Sequence, residues 1–361
     1  HLPSAEISDR ELRLLRMRSQ GLLDEARSPS LAKAVSAALA IQAQEPPVGL
    51  LGVRARTTLT AAEAVRGSAR ASVCRAWLMR NTIFLFATRD LAWMRPALRD
   101  RPLVPAMRRL KEVGLPPPKV ERLLDLLRER LAGGPLPRPE ARKLLLSVVG
   151  EPGENNARIY WTFHAAALRG VLVVRPALES VQTFVPAPED EEIPRERALG
   201  RLARRYLRAH GPATPDDLAY WAKMTKADAR HGWENAGRTV EVRTERGSMT
   251  ALPGTLDPPA PERARVRLLG EWDHYLLSWA DKGVALGAER AADPFAAGRR
   301  LAFADGLAFA TWALRREKGR IEVEVEPFGP VPRGARSGLE AEVADLGRFF
   351  DADPSLRVVR A

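Results

Sequence analysis

Apolar residues recur along this chain at two spacings, and the changes between them mark out its elements. Leucines at helical intervals over residues 8–17, behind a serine suited to capping, predict a first helix. Similar spacing predicts helices over 31–44 and 59–67. The double proline Pro46-Pro47 is expected to end the second of these. An apolar run too short for a helix, Ile83 to Phe86, predicts a strand, with a hairpin over 75–87. Helices resume over 90–130, broken at 114–118 where Pro116-Pro117-Pro118 marks a loop.

Helices over 139–149 and 156–168 follow, separated by an irregular 150–153, and then a valine-rich strand over 170–175. Acidic Glu189-Asp190-Glu191-Glu192, flanked by prolines, reads as a linker. Beyond it come helices over 195–209, 216–223 and 225–237, with a turn and cap at 211–215 and a hairpin from 240–243 and 249–252. From about residue 265 the period turns to two, with strands over 265–269, 300–304, 307–312 and 320–326. A last helix over 337–350 carries Leu339, Val343, Leu346 and Phe350 on one face. Helices followed by short strands, repeated, make the winged-helix arrangement. The expected class is α+β: mostly helical, with tandem winged-helix units and a β-rich C-terminal domain. The units are drawn at 1–90, 91–190, 191–262 and 263–361.

Charge narrows the partners. A net charge of +12 with 45 acidic residues present favours a polyanion, most simply nucleic acid. Only eight of the 57 basic residues are lysine. Coding bias can replace lysine by arginine, but it does not readily produce a surplus of basic over acidic side chains. No stretch suits a membrane span, no lipidation signal is present, and residues 1–11 are polar, unlike a signal peptide; a soluble, cytoplasmic, nucleoid-associated protein is expected. One cysteine and five scattered histidines give no thiolate metal spacing, so no metal and no cofactor are expected. Cys74, in an apolar stretch, reads as a core residue. P-loop and nucleophile-elbow patterns are missing.

Gln42 and Gln44 are the most suggestive polar pair. On a helix, i and i+2 stand about 200° apart, so the two amides meet only if the helix is already unwinding, which the prolines would supply. Placed there, they could orient a water while the last helical carbonyls add partial negative charge. Glutamine also ends surface helices without chemistry, and the tripeptide alone leans to that reading. Glu45 is a rival general base. Arg54, Arg56, Arg75 and Arg80 flank the pair as candidate phosphate contacts. His274, beside Trp272, Asp273 and Tyr275, belongs either to a packing motif or to a DNA-facing cleft, and packing is the favoured reading.

The order of several segments carries a resemblance over nearly the whole chain: Ala40-Ile41-Gln42-Ala43-Gln44-Glu45-Pro46-Pro47 with Gly52-Val53-Arg54-Ala55-Arg56, then Arg75-Ala76-Trp77-Leu78-Met79-Arg80-Asn81-Thr82. Later come Leu202 to Leu207 with Gly211-Pro212-Ala213-Thr214-Pro215, Trp272-Asp273-His274-Tyr275, Asp305-Gly306 and Thr311-Trp312. The chain resembles the AlkZ-like DNA glycosylases of the winged-helix superfamily. It departs from their pattern at Asn81, Phe84 and Ala310. The resemblance implies that Gln42 and Gln44 fill a glutamine-x-glutamine active site, and that a monofunctional hydrolase removes alkylated bases from double-stranded DNA. It also points to the branch that clears bulky natural-product adducts or unhooks interstrand crosslinks in self-resistance. Guanine alkylated at N7 is cationic and leaves readily, so neutral amides suffice as catalysts. The rival is a non-catalytic winged-helix regulator, which would be a symmetric dimer; three units in one chain suit a monomer that clamps DNA.

Overall fold

The computed structural model describes residues 5–150, 155–179, 181–257, 264–293 and 295–359. Residues 151–153 of the irregular stretch expected at 150–153, and the unit boundary expected at 262–263, lie outside them. Strand β1 (Ala5–Ile7) leads into helix α1 (Asp9–Ser19), where the Ser8 N–H donates to Glu11 and the Glu11 N–H donates back to Ser8 Oγ. Helix α2 (Leu31–Ala37), strand β2 (Ile41–Gln42), helices α3 (Pro46–Arg56) and α4 (Ala61–Ser68), and strands β3 (Val73–Trp77) and β4 (Ile83–Ala87) follow. Helices α5 (Thr88–Leu98), α6 (Asp100–Glu112) and α7 (Pro117–Ala132), strand β5 (Leu136–Pro137), and helices α8 (Arg138–Val149) and α9 (Asn155–Leu168) make the helical middle.

Strands β6 (Leu172–Val174) and β7 (Thr183–Pro186) precede helices α10 (Arg195–His210), α11 (Pro215–Ala222) and α12 (Lys226–Glu234), and then the hairpin β8 (Val240–Thr244) and β9 (Gly247–Ala251). Strand β10 (Val266–Leu269), short helices α13 (His274–Leu277), α14 (Gly283–Leu286) and α15 (Ala288–Ala291), strands β11 (Leu301–Ala304), β12 (Leu307–Glu317) and β13 (Arg320–Pro327), helix α16 (Ala335–Phe350) and strand β14 (Asp353–Val358) complete the fold. The class is α+β.

Three sheets organise these elements. Strands β2-β4-β3-β6-β7-β5 form one sheet, joining pieces of the first two expected units. A second, β1-β8-β9, pairs the N-terminal strand in parallel with β8, so β1 and α1 sit with α10 and the later hairpin. The third, β10-β11-β12-β13-β14, includes a last parallel strand without a clear apolar alternation of its own. In β13, Ile321, Val323 and Val325 are buried while Glu324 and Glu326 between and after them are not, and α16 covers that apolar face with Leu339, Val343 and Leu346.

The helix expected over 31–44 is corrected. It stops at Ala37, the chain turns through a left-handed Leu39 (φ 68°), and Ile41 and Gln42 pair antiparallel with Leu85 and Phe84. The proline pair opens α3 instead of closing α2. The first turn of a helix leaves its N–H groups without intrahelical partners, so two residues that lack or do not need that N–H fit there. Gly49 and Gly52 then let α3 lie directly on the glutamine segment, since a Cβ on Gly52 would stand 2.7 Å from Ile41 Cγ2 and one on Gly49 3.0 Å from Ala43 Cβ.

Candidate functional site

An edge strand brings the two glutamines together without any unwinding. Residues two apart on an extended segment share a face, and Gln42 and Gln44 both line one open pocket of about 420 Å³. The expectation of helix-end carbonyls beside them falls with the helix; the neighbouring helix presents its N-terminal end instead. Each carboxamide is anchored through its oxygen: Gln42 Oε1 accepts from the Gln44 N–H at 3.3 Å, and Gln44 Oε1 from the Ile83 N–H at 2.9 Å. The latter continues the ladder where β2 stops, one step beyond the bond from Ala43 N–H to the Ile83 carbonyl. An amide oxygen accepts two hydrogen bonds, so one site on each remains, beside the NH2 donors. Gln42 is 7% exposed. Both amides are therefore held in place at the floor of an accessible pocket.

Glu45 is exposed at the start of α3 and also lines the pocket. Val48, Arg80, Thr82, Glu271, Trp272 and Leu277 make the rest of the wall. Trp272 is 42% exposed, has a left-handed backbone (φ 58°), and lays its ring against Gly298, where a Cβ would stand 3.0 Å from the indole. A strained tryptophan at a pocket rim marks a place where geometry is imposed by its surroundings. The Trp272 N–H donates to the Ala297 carbonyl at 2.6 Å, and the residue that follows it, Asp273, is gripped by Arg56. Arg56 donates to both oxygens of Asp273 at 2.8 Å and to Gln20 Oε1 at 2.8 Å, while Asp273 Oδ1 accepts from the Tyr275 N–H at 2.8 Å. Next to it, burial raises the pKa of Glu271 but the Arg300 guanidinium outweighs it, holding the carboxyl below its usual range.

Three of the four arginines expected at phosphates are corrected. Arg54, Arg56 and Arg75 are buried. A guanidinium so close to the glutamine pair reads as surface in a sequence, but here it is enclosed by long-range partners. Arg54 meets Glu342 at 2.8 Å and Asp345 at 3.1 Å, and Arg267 meets Glu342 at 2.6 Å, so α3 is bolted to α16 and β10. Arg75 donates to the carbonyl of Ala43 at 3.3 Å, between the two glutamines; burial lowers its pKa to about 10 against the pull of Glu45. Arg80 alone stays half-exposed and on the pocket. A second cavity of about 410 Å³ lies over Asp24, Arg27, Arg267, Glu342 and Asp345, which are already ion-paired among themselves and with Arg54.

His274 is buried, edge-on to Phe84 at 5.5 Å and stacked on His210 at 6.1 Å; neither ring nitrogen has a protein partner. Burial, with Arg56 nearby, pushes both histidines well below the ordinary range, so they are neutral packing groups. Cys74 is buried, and burial pushes its thiol up to about 11. Among the described residues no cluster of three or more histidine, cysteine or carboxylate side chains suits a metal ion, and no helix is long and apolar enough to cross a membrane. Of the departures from the family pattern, Asn81 adopts φ 54°, a conformation asparagine tolerates better than most residues where glycine is absent.

Residues 35–349 match the model of the family described as DNA glycosylase AlkZ-like. Among solved structures, Streptomyces sahachiroi DNA glycosylase AlkZ superposes with a TM-score of 0.80 at 25% identity, over 98% of this chain and 100% of that one. No curated protein sequence matches.

Proposed function

The chain belongs to the AlkZ-like DNA glycosylase family, and from that membership we propose that it hydrolyses the N-glycosidic bond of N7-alkylguanine in duplex DNA, with Gln42 and Gln44 as the catalytic pair. The observation that carries this is the convergence of both anchored carboxamides on one open pocket. An N7-alkylated guanine is already cationic and departs without strong acid help. What needs stabilising is an oxocarbenium-like sugar and the water that attacks it. Fixed amide dipoles meet that need at no cost of reorganisation, and losing one such group typically slows a reaction by about 10²–10³. The remaining acceptor site on each amide oxygen would take the water's protons, and Glu45 stands where it can lend negative charge.

Trp272 supports a cationic base as substrate. An electron-rich indole face attracts a positively charged ring more than a neutral one. No lysine lines the pocket, which favours hydrolysis by water over a Schiff-base lyase. The pocket is open, which suits bulky adducts and interstrand crosslinks, where one base cannot swing freely into a closed cavity. Work on such lesions would be DNA repair or self-resistance in a cytoplasmic, nucleoid-associated monomer. Helices α10, α11 and α12 followed by the β8–β9 hairpin have the element order of a winged helix, and we assign that unit to DNA docking.

The test is release of N7-methylguanine from alkylated duplex DNA by the wild type and by the Gln42→Ala, Gln44→Ala double variant, with folding followed by circular dichroism. Release by the wild type and its loss in a folded variant are expected. Undiminished release by the folded double variant would remove the glutamines from the mechanism. No release by the wild type, together with sequence-selective binding of undamaged DNA, would favour a regulator.

A further inference from the structure

Three cations crowd around one phenol beside the pocket. The guanidinium of Arg80 lies 4.8 Å from the ring centroid of Tyr220, the ammonium of Lys282 4.5 Å and that of Lys223 5.1 Å. Arg80 also donates to the Tyr220 carbonyl at 3.2 Å and to its hydroxyl at 3.3 Å. Lys282 donates to the carbonyls of Leu276 and Trp279. Three separate elements thus converge: the β3–β4 turn, the end of α11 and the segment before α14. The turn reaches there through two successive left-handed residues, Arg80 and Asn81, and Lys223 is itself left-handed at φ 54°.

Their counter-charge is what is missing. Among the described residues none of the three makes an ion pair; of the enclosed arginines, Arg54, Arg56, Arg95 and Arg267 do, while Arg16 and Arg75 rest on backbone carbonyls. The carboxylate that acts on Lys282, Asp217, is already taken by the Thr214 N–H and hydroxyl and by the Ala280 N–H, and Asp281 pairs with Arg246. A π face attracts cations one at a time, but it carries no net charge and does not neutralise three. The Tyr220 hydroxyl accepts from Arg80, so its own proton is free to donate.

We infer that Arg80, Tyr220, Lys223 and Lys282 form a binding site for a backbone phosphodiester of DNA, next to the nucleotide whose base enters the Gln42–Gln44 pocket. The placement beside that pocket rests on the function proposed above; the phosphate site itself needs only that DNA is bound. Arg80 belongs to both, lining the pocket while gripping Tyr220. A phosphate there would supply the absent negative charge and fix the sugar to which it is joined over the two amides. Depressed by burial to about 8, the Lys282 ammonium would gain the partner that restores it.

The experiment measures binding of an undamaged duplex by fluorescence anisotropy across a range of salt concentrations. It uses the wild type, Lys223→Gln, Lys282→Gln, Tyr220→Phe, and Lys318→Gln as a control on the exposed β12–β13 turn. Taking away one cation that neutralises a phosphate lowers the magnitude of the slope of log K against log salt by about 1. Lys223→Gln and Lys282→Gln are expected to show that drop, Tyr220→Phe to bind about threefold to tenfold more weakly, and Lys318→Gln to match the wild type. Lys223 is exposed, so its variant folds even if the Lys282 one does not. An unchanged slope in Lys223→Gln, or an equal drop in Lys318→Gln, overturns the site. A lowered slope in a protein that releases no N7-methylguanine would sink the catalytic reading and leave the phosphate site standing.

Discussion

Replacing Glu342 by glutamine tests whether the pocket depends on a bond made far from it in sequence. The Glu342 carboxylate sits between Arg54 at 2.8 Å and Arg267 at 2.6 Å and also accepts the Leu268 N–H at 2.8 Å. Burial raises its pKa, but the two guanidiniums outweigh that and hold it below the usual range. Glutamine keeps the shape and removes the shared charge, leaving Arg54 with Asp345 alone and Arg267 with the exposed Asp24 alone. Breaking a buried pair in this way costs about 3–5 kcal/mol. With an unfolding entropy of about 2.1 cal/mol/K per residue over 361 residues, that is about 0.76 kcal/mol/K, so the melting temperature should fall by about 4–7 °C. Arg54 lies on the helix that follows the glutamines, so base release should fall as well. Differential scanning calorimetry and a release assay at a temperature where both proteins are folded give the two readings. A variant that melts with the wild type would refute the reasoning.

Trp272→Ala should lower kcat/KM for N7-methylguanine release by about tenfold, given about 1–2 kcal/mol for stacking a cation on indole, and single-turnover kinetics would show it; an unchanged value would mean the indole does not meet the base. Burial depresses His210 and His274 far below 6.5 and brings His164 to about 4. The unfolded chain gains those protons near 6.5 while the folded one does not, so stability is kept above that pH and lost below it. Lowering the pH from about 7.5 to about 5.5 should remove about 4 kcal/mol, read by urea denaturation, and a flat profile would mean the rings are hydrated. Cys74, held near 11 by burial, should resist a thiol reagent at about pH 8 until denaturant is added. Rapid labelling of the folded protein would contradict its enclosure.

Much of the fold was legible wherever one face of an element is buried and the other wet. Helix α10, the β8–β9 hairpin, β12, β13 and α16 all carry such a pattern and lie close to where their periodicity puts them. The glutamine segment was not, for two reasons. A strand of two residues has no periodicity to read, and a proline pair marks the start of a helix as readily as the end of one. Strands β1 and β14 owe their existence to partners distant in sequence or to tertiary packing. The glutamines themselves were legible as a pair, but their common face was not. Nor was the enclosure of Arg54, Arg56 and Arg75, because it depends on Glu342, Asp273 and the Ala43 carbonyl, none of which spacing reveals. The cluster around Trp272 suited packing and a DNA-facing cleft alike, with packing favoured; only the pocket shows the exposed face of the indole.

The parallel pairing of β1 with β8 has a consequence for how the chain is made. Ala5 meets Val242, so β1 leaves the ribosome well before β8 and waits for a partner made 237 residues later. At about 5–20 residues per second, that is roughly 12–47 s. During that interval α1 presents Leu12 and Leu15, both enclosed in the finished protein, without the hairpin that covers them. The six-stranded sheet can close meanwhile, since its last strand ends at Pro186. Assembly on the ribosome therefore runs from the inside outward, with the glutamine segment set in its sheet before β1 is fastened.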